Sequence, residues 1–89
     1  MTIHNFIWDE WNVEHIARHR VSAYEVEGVC GSRKIFITKV GGQKIRVIGQ
    51  ALSGRYLTIF LANKGEGYYV VTARDATMKE KRQYKRRYK

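Results

Sequence analysis

Four basic side chains of this sequence could hold a phosphate group: Lys44, Arg46, Arg55 and Arg74. Aromatic side chains are distributed among them along the chain, at Trp8, Tyr56, Tyr68 and Tyr84. Cations that bind phosphates and rings that stack on unpaired bases are what single-stranded RNA recognition requires. The combination favours RNA binding. The alternative interpretation is that the arginines are solvated and the tyrosines are core or edge residues.

Two histidines, His15 and His19, are four residues apart in a segment with a helical pattern, which is a spacing used by zinc ligands. The residues between them lack the glutamate of the zincin motif, and no cluster of carboxylates or cysteines supplies further ligands. We therefore predict no metal and no cofactor. A hydrogen bond to a nearby carbonyl is the favoured role of His15, whereas His19 is interpreted as an acid or base that works near neutral pH. Cys30 is interpreted as a buried structural thiol.

Charge is distributed unevenly along the chain. The whole sequence has 17 basic and 8 acidic residues, a net charge of +9. Residues 1–30 contain two arginines and five acids, which gives −3, while residues 31–89 contain 15 basic and three acidic residues, which gives +12. Such a field predicts a polyanionic partner, most simply nucleic acid. A solubilising surface and an anionic membrane surface are the alternatives.

Neither a membrane span nor a secretion signal is expected from the sequence. No apolar run approaches the roughly 18 residues of a transmembrane helix. The N-terminal segment is interrupted by Asp9 and Glu10 and does not resemble a signal peptide. We therefore predict a cytoplasmic protein without a membrane partner.

The N-terminal third of the chain predicts a short strand and a helix. The strand covers residues 3–8, and Asp9 can cap the helix that follows. In that helix the i, i+3, i+4 pattern directs Val13, Ile16 and Ala17 toward the core.

A second helix is predicted to begin at Ser22, because Glu25 completes a capping box and Val21 with Val26 forms a hydrophobic staple. Gly31 can end it. Val26, Val29 and Cys30 would then pack inward.

The central part of the chain predicts an antiparallel meander. Glycine-rich turns separate strands at about residues 34–40, 44–52, 55–62 and 68–74. Gly49 falls within a strand pattern, which indicates a bulge or a close approach of another part of the backbone.

Residues 70–87 change from a strand pattern to a strongly basic helix. Thr77 and Glu80 form another capping box, so Arg74 lies where a strand ends close to a helix start. Such a junction suits anion binding. The predicted fold is a single α+β domain over residues 1–89, an antiparallel sheet with two N-terminal helices and a C-terminal basic helix in the order β-α-α-β-β-β-β-α.

Several motifs together resemble the BrnT family of bacterial toxins. They are Trp8-Asp9, Asn12-x-x-His15-Ile16-x-x-His19-x-Val21, Ile48-Gly49, Gly54-Arg55 and Thr72-Ala73-Arg74-x-Ala76-Thr77-x-x-Glu80-x-x-x-Tyr84. The resemblance extends from Trp8 to Tyr84. It implies a fold related to the RelE ribonucleases, the activity of a type II toxin that cleaves RNA, and neutralisation by a BrnA-like antitoxin. A homodimer and a toxin–antitoxin heterotetramer both stay open.

The family pattern points to Trp8, His19, Lys44, Arg55, Arg74 and to Glu80 or Tyr84. On this basis we predict His19 as acid or base, Arg55 and Arg74 as the residues that hold the phosphate, and Lys44 as an assisting cation. The residues predicted to contact RNA are Trp8, Arg46, Lys81, Arg82, Tyr84 and Lys85.

One position departs from the family pattern. Arg20 stands where the family usually has glycine, and it would be strained if the helix ends there in a left-handed conformation. Two other interpretations therefore remain: a catalytically inactive module that binds RNA or ribosomes, and a basic interaction protein.

Overall fold

The helix and strand patterns of the sequence become eight elements in the computed structural model, which describes residues 3–88. They are β1 Phe6–Ile7, α1 Glu10–Ala17, α2 Ala23–Cys30, β2 Ile35–Gly41, β3 Lys44–Gln50, β4 Tyr56–Asn63, β5 Tyr68–Asp75 and α3 Met78–Arg87. The α+β class and the predicted order of elements are confirmed.

Capping boxes define the starts of all three helices. In each one, a side chain at the N-cap accepts a bond from a backbone N–H three residues on, and the side chain there accepts one in return. The pairs are Asp9 with Asn12, Ser22 with Glu25 and Thr77 with Glu80. Short polar motifs in the sequence therefore fix where each helix begins.

The five strands form one sheet in the order β1-β5-β4-β3-β2. Strands β2 to β5 are antiparallel, as predicted, whereas β1 pairs in parallel with β5, with Phe6 opposite Tyr68. The predicted first strand over residues 3–8 was too long. A Cβ atom on Gly67 would lie only 2.5 Å from the carbonyl oxygen of Asn5. Glycine at this position therefore lets the N-terminal segment approach the edge of β5.

One face of the sheet and the helices α1 and α2 enclose the main core. Its fully buried side chains include Ile16, Val26, Val29, Val47, Leu57, Ile59, Leu61 and Val70. Gly49 makes room for α2, because a Cβ atom there would lie 2.7 Å from Cγ1 of Val29. The pairing of β3 with β4 is regular at Gly49. The prediction of a bulge or a close backbone approach was therefore wrong, because the glycine accommodates a side chain of α2 in a regular strand.

Cys30 is buried at the end of α2, and burial raises the pKa of its thiol to about 12. This environment confirms the predicted structural thiol, because a thiol with so high a pKa forms almost no thiolate at neutral pH.

Helix α1 presents a different face to the core from the one predicted. Ile16 is buried, but Val13 is 45% exposed and Ala17 is also exposed. The second buried position is Asn12, whose amide donates to the carbonyl of Ile7 over 2.8 Å. The burial of Asn12 is compensated because its side chain makes this bond and a capping bond to the backbone. The inward face therefore runs through positions 12 and 16.

Helix α3 covers only part of the opposite face of the sheet. Ala76 and Tyr84 pack with Ile48 in a second, smaller core. Beyond this contact, one row of side chains across four strands stays only partly buried: Thr38, Arg46, Phe60 and Thr72. We call these four residues the open row. No helix within residues 3–88 is long and apolar enough to cross a membrane.

Candidate functional site

Glu80 is held at the first turn of α3 by its capping box. Its Oε1 atom accepts the backbone N–H of Thr77 over 2.8 Å and the hydroxyl of Thr58 over 2.8 Å. Only 6% of the residue is exposed. A carboxylate is therefore fixed between α3 and the centre of the sheet.

Two arginines converge on this carboxylate. Arg74 on β5 donates from Nη1 to Oε1 over 2.8 Å and from Nη2 to Oε2 over 3.1 Å. Nη1 of Arg46 on β3 lies 3.7 Å from Oε2. Bidentate contacts of this kind fix the plane of a guanidinium group as well as its position. We call Arg46, Thr58, Arg74 and Glu80 the arginine–glutamate cluster.

The cluster keeps Glu80 ionised. Burial acts to raise the pKa of the carboxyl group, but hydrogen bonds from Arg74, Thr77 and Thr58 outweigh burial and lower the pKa to about 2. The bond to Glu80 correspondingly raises the pKa of Arg74. At neutral pH the group is a carboxylate, so it can orient the two arginines but has no proton to donate.

Arg46 is also held by a neighbouring strand, β2, and by helix α3. Its Nε donates to the hydroxyl oxygen of Thr38 and its Nη2 to the side-chain oxygen of Gln83, each over 3.2 Å. The side chains of Arg46 and Arg74 remain 20% and 33% exposed. Both cations are thus positioned before any ligand arrives and can still be reached from solvent.

Arg55 lies toward the other face of the sheet. Its Nε donates to Asp75 over 2.9 Å, and Asp75 follows Arg74 in β5. Because successive side chains of a strand point to opposite faces, Arg55 and Arg74 do not share a face. Arg55 also bonds Glu25 and the carbonyl oxygens of His19 and Arg20. Most of its N–H groups are therefore occupied within the protein, and its role in holding phosphate remains a prediction.

The turn that Arg55 binds contains the position that departs from the BrnT pattern. Arg20 has φ +59°, in the left-handed region where glycine is favoured. The condition under which strain was predicted, a left-handed conformation at Arg20, is therefore met. Bonds from Arg55 to the carbonyls of His19 and Arg20 hold the turn in this conformation.

His19 is exposed at the end of α1, and its ring lies edge-on to that of His15, with 5.8 Å between the ring centres. Through Arg55 its backbone is connected to Asp75, the residue next to Arg74. The structure thus joins His19 and Arg55 near the end of β5, on the side of α1 and α2, whereas Arg74 at the same end faces α3.

Lys44 lies at the other end of the sheet. It is exposed at the start of β3 opposite Ala62, whereas Arg74 pairs with Thr58. The four residue steps of β4 from Thr58 to Ala62 correspond to about 13 Å along the strand. Lys44 therefore lies well away from Arg74, although Arg46 is only two residues further along the same face of β3.

Two aromatic residues predicted to contact RNA have other environments. The indole N–H of Trp8 donates to Glu27 over 2.7 Å, and Asp9 and Glu10 adjoin Trp8. Tyr84 is buried, and its hydroxyl donates to the carbonyl of Lys34 over 3.0 Å. The prediction for Tyr84 is corrected, because a ring enclosed between α3 and the sheet is not available to a base.

Helix α3 carries most of the basic charge next to the cluster: Lys79, Lys81, Arg82, Lys85, Arg86 and Arg87. Of the three basic residues in this helix that were predicted to contact RNA, Arg82 and Lys85 are exposed and Lys81 is half-buried. The ammonium groups of Lys81 and Lys85 lie 5.9 and 5.4 Å from the centre of the Tyr56 ring. Five of the eight acidic residues lie within residues 1–30, at or next to α1 and α2. Charge is therefore divided between the two sides of the sheet.

Sequence reasoning did not identify Thr58, Phe60 and Gln83 as parts of this site. Gln83 contacts Arg46, Phe60 contacts Arg74 and Thr58 donates to Glu80, and all three contacts depend on strand register and helix packing. The alternation along β4 indicates that Thr58 and Phe60 share a face, but it does not indicate which cations lie opposite. Among residues 3–88 no group of three or more His, Cys, Asp or Glu side chains is arranged to hold a metal ion.

Comparisons of the chain with protein-family models, with curated proteins and with solved structures gave no match. The resemblance to the BrnT toxins therefore rests on the motif residues quoted above.

Proposed function

We propose that this protein is the toxin of a type II toxin–antitoxin system and a metal-independent endoribonuclease. The observation that carries the proposal is the arginine–glutamate cluster. Two guanidinium groups are fixed on an accessible part of the sheet beside a helix with six basic residues. Preorganised cations of this kind stabilise the charge that develops on a phosphate during transfer. The motif resemblance to the BrnT family supports the same function.

The reaction would be an attack by a ribose 2′-hydroxyl on the adjacent phosphorus. A base removes the hydroxyl proton, the bond from phosphorus to the 5′-oxygen breaks, and an acid protonates the departing oxygen. Arg74 and Arg46 would stabilise the dianionic phosphorane. His19 is the proposed acid or base by virtue of its imidazole, and because it lies with Arg55 on the side of α1 and α2, the phosphate would have to bind at the end of β5 to be reached from both faces. Glu80 would act through the arginines by holding their guanidinium groups in place.

The proposed partners are RNA and a BrnA-like antitoxin, and the proposed location is the cytoplasm. The basic surface of α3 supports an anionic ligand. The antitoxin rests on the motif resemblance, and it would have to cover either this surface or the cluster in order to neutralise the toxin.

A second candidate is an RNA-binding module without nuclease activity. It is favoured by the occupation of both cluster arginines by Glu80, and by the bonds that commit Arg55 to the protein itself. A phosphate would have to share these donors with the carboxylate.

The first experiment measures cleavage of single-stranded RNA by purified protein in excess, with a chelator present. We expect fragments to form. The reaction should slow about 10²- to 10³-fold in Arg74→Lys, which keeps a charge but loses the bidentate geometry. Lys64→Ala, in the exposed β4–β5 turn, is the matched control and should cleave like the wild type.

Binding measured on the same samples separates the candidates. If folded wild-type protein leaves RNA intact, the nuclease proposal is refuted. Salt-dependent RNA binding without cleavage would then identify a binding module. A stable complex with an acidic protein that RNA does not displace would instead identify an interaction protein.

A further inference from the structure

The open row places one aromatic side chain in the middle of a polar, cationic surface. Phe60 on β4 lies directly between Arg46 on β3 and Thr72 on β5. The guanidinium carbon of Arg74 is 5.6 Å from the centre of the Phe60 ring. Thr38 extends the row onto β2. With strands about 4.8 Å apart, the four side chains span about 14 Å.

Helix α3 packs over the next row and contacts the open row at Arg46, through Gln83 and Glu80. We call this next row, Phe36, Ile48, Thr58 and Arg74, the covered row. Its two central members, Ile48 and Thr58, are fully buried, whereas all four members of the open row are partly accessible to solvent. Phe60 therefore belongs to neither core, although it stands on a central strand of the sheet. The ring is partly accessible, so a flat ligand can stack on the part that the Arg74 guanidinium leaves open.

We propose that Phe60 is a stacking platform for one unpaired base of single-stranded RNA, with Arg46 and Arg74 binding the flanking phosphates. The inference rests on the proposed RNA-binding function and specifies its substrate class. A base on an aromatic ring with arginines beside it is the general solution for single-stranded nucleic acids. The charge of the surface fits a polyanion, and the hydroxyl groups of Thr38 and Thr72 lie within the row to bond the edge of a base or a ribose.

This arrangement selects against duplex RNA. Bases inside a duplex are stacked on each other, so their faces cannot reach Phe60. A surface that acted through charge alone would bind a duplex at least as well, because the duplex carries more phosphate per unit length. A preference for single strands is therefore the signature of stacking.

The test uses a single-stranded RNA oligonucleotide of about ten residues whose 2′-hydroxyls are methylated so that it cannot be cleaved. Affinity is measured by fluorescence anisotropy for this strand, for its duplex and for an abasic strand of the same length. Phe60→Leu should lower affinity for the single strand about 5- to 150-fold, the range expected from the loss of one stacked base. Phe60→Trp should restore it. Phe36→Leu, on the same face but in the covered row, is the control and should bind like the wild type.

Three results would overturn the proposal. In the first, Phe60→Leu and the wild type bind the single strand with equal affinity. In the second, the wild type binds the duplex more tightly than the single strand. In the third, Phe60→Leu lowers affinity for the abasic strand by the same factor as for the strand with bases. Because the oligonucleotide cannot react, the outcome is independent of nuclease activity. If the wild type cleaves RNA but Phe60→Leu binds the single strand as tightly as the wild type does, only the stacking platform is refuted. Stacking without cleavage would refute only the nuclease.

Discussion

The Nη1 atom of Arg55 lies 2.6 Å from the carbonyl oxygen of Arg20, the residue that turns the chain from α1 toward α2 in a left-handed conformation. The same guanidinium group bonds the carbonyl oxygen of His19 and the carboxylates of Glu25 and Asp75. One side chain thus joins the α1–α2 turn, the first turn of α2 and the end of β5.

Replacement of Arg55 by alanine should destabilise the protein by about 2 kcal/mol, because charged hydrogen bonds to two backbone carbonyls and two carboxylates are lost together. The measurement is the free energy of unfolding in urea. Arg33→Ala removes an equal charge from an exposed position and should have little effect. Equal stability of Arg55→Ala and the wild type would contradict the structural role and leave phosphate binding as the main function of Arg55.

Replacement of Arg20 by glycine should stabilise the protein by about 0.5–1 kcal/mol, since glycine adopts a positive φ without the strain that a side chain imposes. Arg18→Gly is the contrasting control. Arg18 has φ −63°, so glycine there should destabilise the protein through the greater freedom of its unfolded chain. Thermal unfolding followed by circular dichroism compares the two. A loss of stability in Arg20→Gly would show that the side chain, and not its backbone conformation, governs this turn.

The arginine–glutamate cluster should make stability depend on acid pH. The pKa of Glu80 is lowered in the folded protein from an ordinary value of 4.5 to about 2. Its contribution, about 3 kcal/mol, is therefore complete above pH 4.5 and is lost as the pH falls toward 2. Unfolding free energies measured across this range should fall less steeply in Glu80→Gln than in the wild type.

Glu66→Gln provides the control for that titration, because Glu66 is exposed in the β4–β5 turn and the described residues show no ion pair for it. The unfolding free energy of this variant should fall with decreasing pH as it does in the wild type. If the unfolding free energy of Glu80→Gln falls as steeply with decreasing pH as that of the wild type, the ion pairs contribute little to the stability of the fold.

Removal of single cations from α3 should change the salt dependence of RNA binding. Arg82→Ala and Lys79→Ala should each reduce the slope of log affinity against log salt by about 0.7 if the residue contacts one phosphate of a single strand. Lys64→Ala should leave the slope unchanged. If all three variants keep the wild-type slope, α3 is not part of the RNA-binding surface and is available for a protein partner.

Local motifs in the sequence predicted most of the fold. Capping residues such as Ser22 and Thr77 and the glycine-rich turns fixed the starts and ends of elements, because these signals act within a few residues. The parallel pairing of Phe6 with Tyr68 could not be predicted in this way, since it joins segments about 60 residues apart. The error at Val13 arose because Asn12 is buried by virtue of its own hydrogen bonds, which a hydrophobic pattern does not reveal.

The site was predictable only in part, for a related reason. Residue types identified Arg46 and Arg74 as candidate cations, but their meeting at Glu80 depends on strand register and on the path of α3. Alternation also places Arg55 and Arg74 on opposite faces once Asp75 is known to end β5. Phe60 gave no signal in sequence, because its exposure results from where α3 stops covering the sheet.

The division of charge between the two sides of the sheet gives the protein a large electric dipole moment. A long polyanion would attract the α3 side and repel the side of α1 and α2, so the molecule would be rotated into the binding orientation before contact. This torque acts over roughly one Debye length, about 8 Å at physiological ionic strength. Low salt should therefore increase the fraction of encounters that begin with the open row facing the strand.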